Sequence, residues 1–99
     1  MFVSVRRYRD VPSVMALCRD IELEFVPRLK RSPGFIAYYA VDGGDGSLTT
    51  VSVFSTAAMA EESNSDAAAW LRERNPEAPL VAVEVVAGRL AIAVPPIHG

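Results

Sequence analysis

The chain has 99 residues, of which 51% are hydrophobic and 22% charged; this suits one packed domain and excludes long disorder or a second independent core. Ten basic against twelve acidic residues leave a formal charge of −2, so nothing draws the chain to phosphate backbones or to anionic lipid. The single cysteine, Cys18, provides neither an internal disulfide nor a thiolate metal cluster and points to a reducing, cytoplasmic setting. "MFVSVRRYRD" lacks the residue order of a secretory signal, and no stretch approaches the roughly 18 apolar residues of a membrane span.

Phe2 to Tyr8 is short and rich in β-formers, which predicts strand one. Asp10 suits a helix N-cap, with Pro12 tolerated in the first turn. Val14, Cys18, Ile21, Phe25 and Leu29 then recur at spacings of four, three, four and four, one stripe of a core-facing helix. Arg28, Lys30 and Arg31 sit at its end, where cations complement the helix dipole. Pro27 removes a hydrogen bond to Leu23, so a kink is predicted between Leu23 and Pro27. "SPG" at Ser32 to Gly34 stops this helix.

Phe35 to Val41 forms strand two, "DGGDG" a turn, and Ser47 to Phe54 the antiparallel return. Ser55 or Thr56 caps a second helix that runs to about Arg74 and ends at Asn75 and Pro76. On a helical wheel Met59, Ser63, Ala67, Trp70 and Leu71 share a face, while Glu62, Asp66 and Glu73 lie opposite. Leu80 to Ala87 is read as strand four, with a bulge at Gly88 and an extended continuation from Arg89 to Val94. Residues 1–94 thus make one domain and 95–99 a tail.

The order β-α-β-β-α-β resolves, with right-handed crossovers, into the ferredoxin-like α+β arrangement: an antiparallel sheet with both helices on one face. That leaves a difficulty on the other face. Strand two carries Phe35, Tyr39 and Val41 on one side and Ile36 and Tyr38 on the other, and strand four sets Val81, Val83 and Val85 against Leu80 and Val86. A face this apolar is covered most simply by a second copy of the chain, sheet on sheet, in a two-fold homodimer, with Arg89 to Val94 pairing along the partner.

"PGF" at Pro33 to Phe35, "DGGDG" in the hairpin, the strand "VSVF" and the helix "SNSDAAAWLRE" together resemble the antibiotic-biosynthesis-monooxygenase superfamily of dimeric α/β barrels, over roughly Val26 to Gly88. The resemblance implies an obligate dimer with a pocket between helices and sheet in each subunit. It also implies oxygenation of a small aromatic or polyketide-like compound without metal, flavin or other cofactor, in which the substrate anion itself reduces O₂ inside a dry pocket. Haem-opening relatives use an asparagine on strand one, a tryptophan on the helix after the hairpin and an iron-ligating histidine. Trp70 matches that tryptophan, but "FVSVRRYR" holds no asparagine and the sole histidine, His98, lies in the tail, so haem opening is not expected.

Trp70, Asn64 and Tyr39 are therefore the candidate catalytic residues, with Phe25, Tyr38, Ser63 and Arg6 as candidate pocket residues; no metal ligand set is expected. Each has a plainer alternative. Trp70 could simply anchor the core, and Asn64 and Ser63 could face solvent at the edge of an amphipathic helix. Tyr38 and Tyr39 point to opposite faces, so at most one serves a given cavity. Arg6 shares a strand face with Phe2, Ser4 and Tyr8, where it could hold a phenolate or form a rim salt bridge. Glu84 could be a raised-pKa base or the partner of Arg6, Arg7 or Arg89. Cys18 reads as an inert thiol in the stripe, "DGGDG" as a turn without the carboxylates of a calcium loop, and "RRYR" as residues alternating between faces rather than a nucleic-acid patch. The partners expected are a second copy and a small hydrophobic or aromatic ligand. A non-enzymatic ligand binder and a purely structural dimer are the competing functions.

Overall fold

The computed structural model describes residues 1–97, so His98 lies outside the described residues. The elements are β1 (Phe2–Tyr8), α1 (Val14–Asp20), a π-helical turn (Ile21–Phe25), α2 (Val26–Arg31), β2 (Phe35–Asp42), β3 (Leu48–Phe54), α3 (Ala57–Arg74) and β4 (Glu84–Arg89). The strands form one antiparallel sheet in the order β2-β3-β1-β4. With α1, the π turn and α2 as one helical segment, this is the ferredoxin-like topology expected from the element order. No helix of the described residues is long and apolar enough to cross a membrane.

The first helix begins later than the sequence suggests. Ser13, not Asp10, is the cap: its Oγ accepts from the Ala16 N–H at 3.2 Å. Asp10 instead adopts a left-handed φ of 54°, a conformation that Asp tolerates better than most residues. The turn lets the Val11 N–H donate to the Gly46 carbonyl at 3.0 Å, tying the connection to the hairpin loop. Helix formation therefore waits until the chain has rounded that corner.

The expected distortion before Pro27 is the π-helical turn. The Val26 N–H reaches back five residues to the Ile21 carbonyl, which absorbs a residue ahead of a proline that can neither donate nor fit under a tight turn. The buried stripe of the segment runs Val14, Leu17, Ile21, Phe25 and Leu29. Leu17 takes the inward place assigned to Cys18, and Cys18 is only half-buried. Burial, then the carboxylates of Asp42 and Glu22, push its thiol up from the ordinary value, the opposite of nucleophile activation.

At the hairpin end, Gly34 takes φ 78° and a Cβ there would sit 2.5 Å from the Ser55 Oγ; its carbonyl accepts the Ser55 N–H at 2.8 Å, closing β2 onto the start of α3. Thr56 caps α3 through Oγ1 to the Met59 N–H at 3.2 Å. The buried face of α3 is Ala60, Ser63, Ala67, Trp70 and Leu71, close to the wheel reading.

Two strand assignments change. A bulge between Phe35 and Ala37 puts Phe35 and Tyr38 on the same, core side, while Tyr39 and Val41 project from the other face and are exposed. Bulges reverse alternation in this way. β4 spans Glu84–Arg89, not Leu80 to Ala87: its ladder with β1 stops at the Arg7–Glu84 pair, with the Val83 N–H still donating to the Arg7 carbonyl at 2.8 Å. Leu80 and Ala82 leave the sheet to pack on the core. Gly88 pairs in register with Val3, without a bulge, and just past Arg89 the Leu90 N–H donates to the Met1 carbonyl at 2.9 Å.

Candidate functional site

The register defines which side chains share each face of the sheet. On the helix side, cross-strand rows read Phe35–Phe54–Phe2, Tyr38–Ser52–Ser4 and Ala40–Thr50–Arg6–Val85. Successive residues of a strand alternate between faces, so Ser4, Arg6, Tyr8, Thr50 and Ser52 all project under α1 and α3, and all are buried. A polar centre on the core side of a sheet runs against ordinary burial preferences.

Much of that polarity is unsatisfied. Arg6 is 4% exposed, yet its Nε and Nη1 have no hydrogen-bond partner, and neither do Thr50 Oγ1, Ser52 Oγ and Ser63 Oγ. The rim salt bridge considered for Arg6 is absent: the ion pair among the described residues joins Arg74 to Asp20 at 2.7 Å, at the surface. Glu84 stands in register with Arg7, on the opposite face of the sheet from Arg6, and is exposed.

Arg6, Tyr8 and Leu71 border two spaces. The deeper is only about 20 Å³, roughly one water, and is walled by Trp70, Phe25 and Tyr38. The larger is about 280 Å³ and runs beneath residues 79–82, between α3, which contributes Asn64, Ala68 and Arg72, and Val85 of β4. Of these two spaces, the one against Trp70 and the first helix is thus the small one, and the larger lies beside α3 and the approach to β4; a third, more open depression of about 560 Å³ runs between Cys18, Ile21 and Val26 of the first helix and Phe35 to Ala40 of β2. The displaced strand start makes the space beside α3: Pro79 to Ala82 form its roof because they have left the sheet.

Trp70, Phe25 and Tyr38 form an aromatic wall behind Arg6. The Trp70 and Phe25 rings lie 5.7 Å apart and the Phe25 and Tyr38 rings meet edge-on at 6.4 Å. The Trp70 Nε1–H donates to Glu24 Oε1 over a long 3.4 Å, so its polar edge is turned to a helix carboxylate. Asn64 is held by its carbonyl oxygen, which accepts from Ser4 Oγ at 2.8 Å; its two N–H donors lie outside that bond. Ser63 is buried under α3 and borders neither space. Tyr39 projects from the opposite face of the sheet, 57% exposed; of the two tyrosines it is Tyr38 that meets the cavity side. Burial pushes the Tyr38 phenol up to about 12, against the lowering pull of the Arg6 charge, and burial raises Tyr8 against the same charge. Both are hydrogen-bond donors at neutral pH. Among the described residues, no carboxylate or imidazole lines either space.

Leu71, Thr50 and Ala68 have no place in the sequence reading of the site. Thr50 was recoverable in principle: in register with Arg6, it continues the inward polar row. Leu71 and Ala68 carry no chemical signal.

No family model matches the sequence, and no curated protein does. Solved structures do. A mutant of SnoaB, a cofactor-independent oxygenase from Streptomyces nogalater, superposes with a TM-score of 0.70 at 14% identity, covering 96% of this chain and 97% of that one. A monooxygenase from the gene ActVA-Orf6 of Streptomyces coelicolor, solved with the ligand Nanaomycin D, gives 0.59 at 20% identity over 93% and 90%. A protein of unknown function from Nitrosomonas europaea gives 0.67 at 18% identity over 93% and 90%. The fold that the sequence resemblance implies is the fold these structures share with this chain.

Proposed function

We propose that the chain is a cofactor-independent monooxygenase of a compact, electron-rich aromatic compound, working in the cytoplasm as a homodimer. The observation that carries this reading is the 280 Å³ cavity, at the lower end of ligand-site sizes, lined by apolar side chains and the donors Arg6, Tyr8 and Asn64. Two oxygenases with the same fold support it. The chemistry asked of such a site is modest. A deprotonated phenol or anthrone passes an electron to O₂, the radical pair closes a C–O bond, and the peroxide loses water: a ring CH₂ and O₂ become C=O and H₂O. The substrate supplies every electron. With no carboxylate or imidazole of the described residues lining the space, its own hydroxyl must be acidic enough to ionise, and the site then contributes donors and exclusion of water.

The homodimer is supported by the outer face of the sheet. Tyr39, Val51, Val5 and Val86 stand in one cross-strand row there, with Tyr39 and Val86 largely exposed. Contiguous apolar surface of this kind marks an association site.

Oxygen uptake with an anthrone tests the reading. Purified protein should consume one O₂ per anthrone above the uncatalysed rate, and Asn64→Ala, checked to be folded, should slow it at least about tenfold, the range of a lost donor or positioning group. An uptake rate equal to buffer across anthrones and quinols rejects it. The missing acid/base pair favours a second reading, a non-enzymatic binder, which would show ligand-dependent melting without oxygen uptake.

A further inference from the structure

We propose that Arg6 is the anion subsite of the cavity, and that the ligand is an aromatic compound bearing a carboxylate or phenolate oxygen. Three observations meet at this residue. The guanidinium is almost wholly buried with two nitrogens unpartnered. It borders both spaces between α3 and the sheet. And among the described residues no carboxylate lines those spaces, while a second guanidinium, Arg72, lines the larger one. A buried cation is ordinarily paired, because an uncompensated charge in the interior is costly. Here the polar groups that line the small space with it, Tyr8, Tyr38 and Thr50, are neutral hydroxyls, and among the described residues no negatively charged acceptor lines either space. An anionic oxygen entering from the cavity is the missing counter-charge, and the apolar walls of Leu71, Ala68 and Leu80 accommodate the ring that carries it.

The assignment rests on the cavity taking a small aromatic, as in the proposed function, but does not depend on turnover, so the two can fail separately. Benzoate, benzamide and 4-nitrophenolate serve as probes, with melting temperature and calorimetric titration as readouts. Benzoate or 4-nitrophenolate should bind at least about tenfold more tightly than uncharged benzamide, as expected for a hydrogen bond to a charged group. Arg6→Met should remove that preference and leave benzamide binding as it was. It should also melt at or above the temperature of the unliganded wild type, because an unpaired buried charge is replaced by an apolar side chain of similar length. That second result separates a ligand site from a structural arginine, whose removal would lower the melting point. Arg6→Lys, which keeps the charge, should retain the preference in part.

Equal affinity for benzoate and benzamide, undiminished benzoate binding by Arg6→Met, or protection by chloride equal to that by benzoate at the same concentration would each overturn the proposal. Anion binding without oxygen uptake leaves it standing and removes the oxygenase. Oxygen uptake unaffected by Arg6→Met and insensitive to benzoate does the reverse.

Discussion

The two faces of the sheet have the polarity that each would be expected to lack. Under the helices, the central row is Ala40–Thr50–Arg6–Val85 with Ser52 and Ser4 beside it; on the outside, the row one residue along is Tyr39–Val51–Val5–Val86. A monomer built only for stability would exchange them, placing valines inward and arginine, serine and threonine in water. Among the described residues, the inward polarity of the sheet leaves four buried polar atoms without a partner, Nε and Nη1 of Arg6 and the hydroxyls of Thr50 and Ser52, and an unmade buried hydrogen bond costs stability. The outward apolarity leaves surface that a lone molecule would have no reason to keep. On the proposed reading, the two departures divide the sheet between a ligand on one side and a second copy on the other.

The largest effect should come from the outer row. In a two-fold dimer Val5→Asp places two unpaired charges in one interface, each costing several kcal/mol. The variant should sediment as a folded monomer at micromolar concentration where the wild type sediments as a dimer. A wild type that is itself monomeric at that dilution breaks the comparison on its outer side. Next is Trp70→Ala, which empties a site 3% exposed behind Arg6 and removes the stacking partner of Phe25; about 3–5 kcal/mol of stability should go, as for other large aromatic truncations. Urea unfolding measures it, and a loss below about 1 kcal/mol would mean that the aromatic wall is not part of the core.

How much of this contrast can be seen in the sequence depends on where register matters. The β-α-β-β-α-β order, the Thr56 cap, the buried face of α3 and the irregularity before Pro27 are all local, set by residues within a turn or two of one another. The face of Arg6 was legible too, since alternation along β1 is unbroken. What was not legible came from long-range fitting. The bulge after Phe35 inverts the inside and outside of β2, so Phe35 had to be seen in place to be separated from Tyr39. The late start of β4 is settled by its register against β1, about eighty residues earlier in the chain, and it leaves the 280 Å³ space beneath Pro79 to Ala82. The solitude of Arg6 was invisible for the same reason: the absence of a partner is a property of everything around a residue and not of the residue.

The inner face also has a signature in pH. The Tyr38 phenol is pushed up to about 12, chiefly by burial, against about 10 in an unfolded chain. Between those values the unfolded state has released a proton that the folded state still holds, so stability falls as pH rises. The contribution is fully present below pH 10 and is lost as the pH approaches 12, about 2–3 kcal/mol in all. Chemical denaturation from pH 9 to 12 should show the decline, and Tyr38→Phe should flatten most of it; Tyr8, also raised by burial, leaves a residual slope. An unchanged slope in Tyr38→Phe would place the buried phenol elsewhere.

The smallest effect concerns the link between the polar row and α3. Ser4 Oγ donates to Asn64 Oδ1 at 2.8 Å, and Asn64 lines the larger cavity. Ser4→Ala removes one part-buried hydrogen bond, about 1 kcal/mol of stability, without touching the cavity wall. If the bond exists to aim the Asn64 amide, the consequence for ligand should exceed that for the fold: benzoate affinity or oxygen uptake should fall several-fold in a protein that melts only a few degrees lower. Ser4→Thr, which keeps the hydroxyl, should restore both in part. A loss of stability with ligand behaviour unchanged would assign Ser4 and Asn64 to packing alone, and would leave Arg6 as the one polar group of the inner face that a ligand needs.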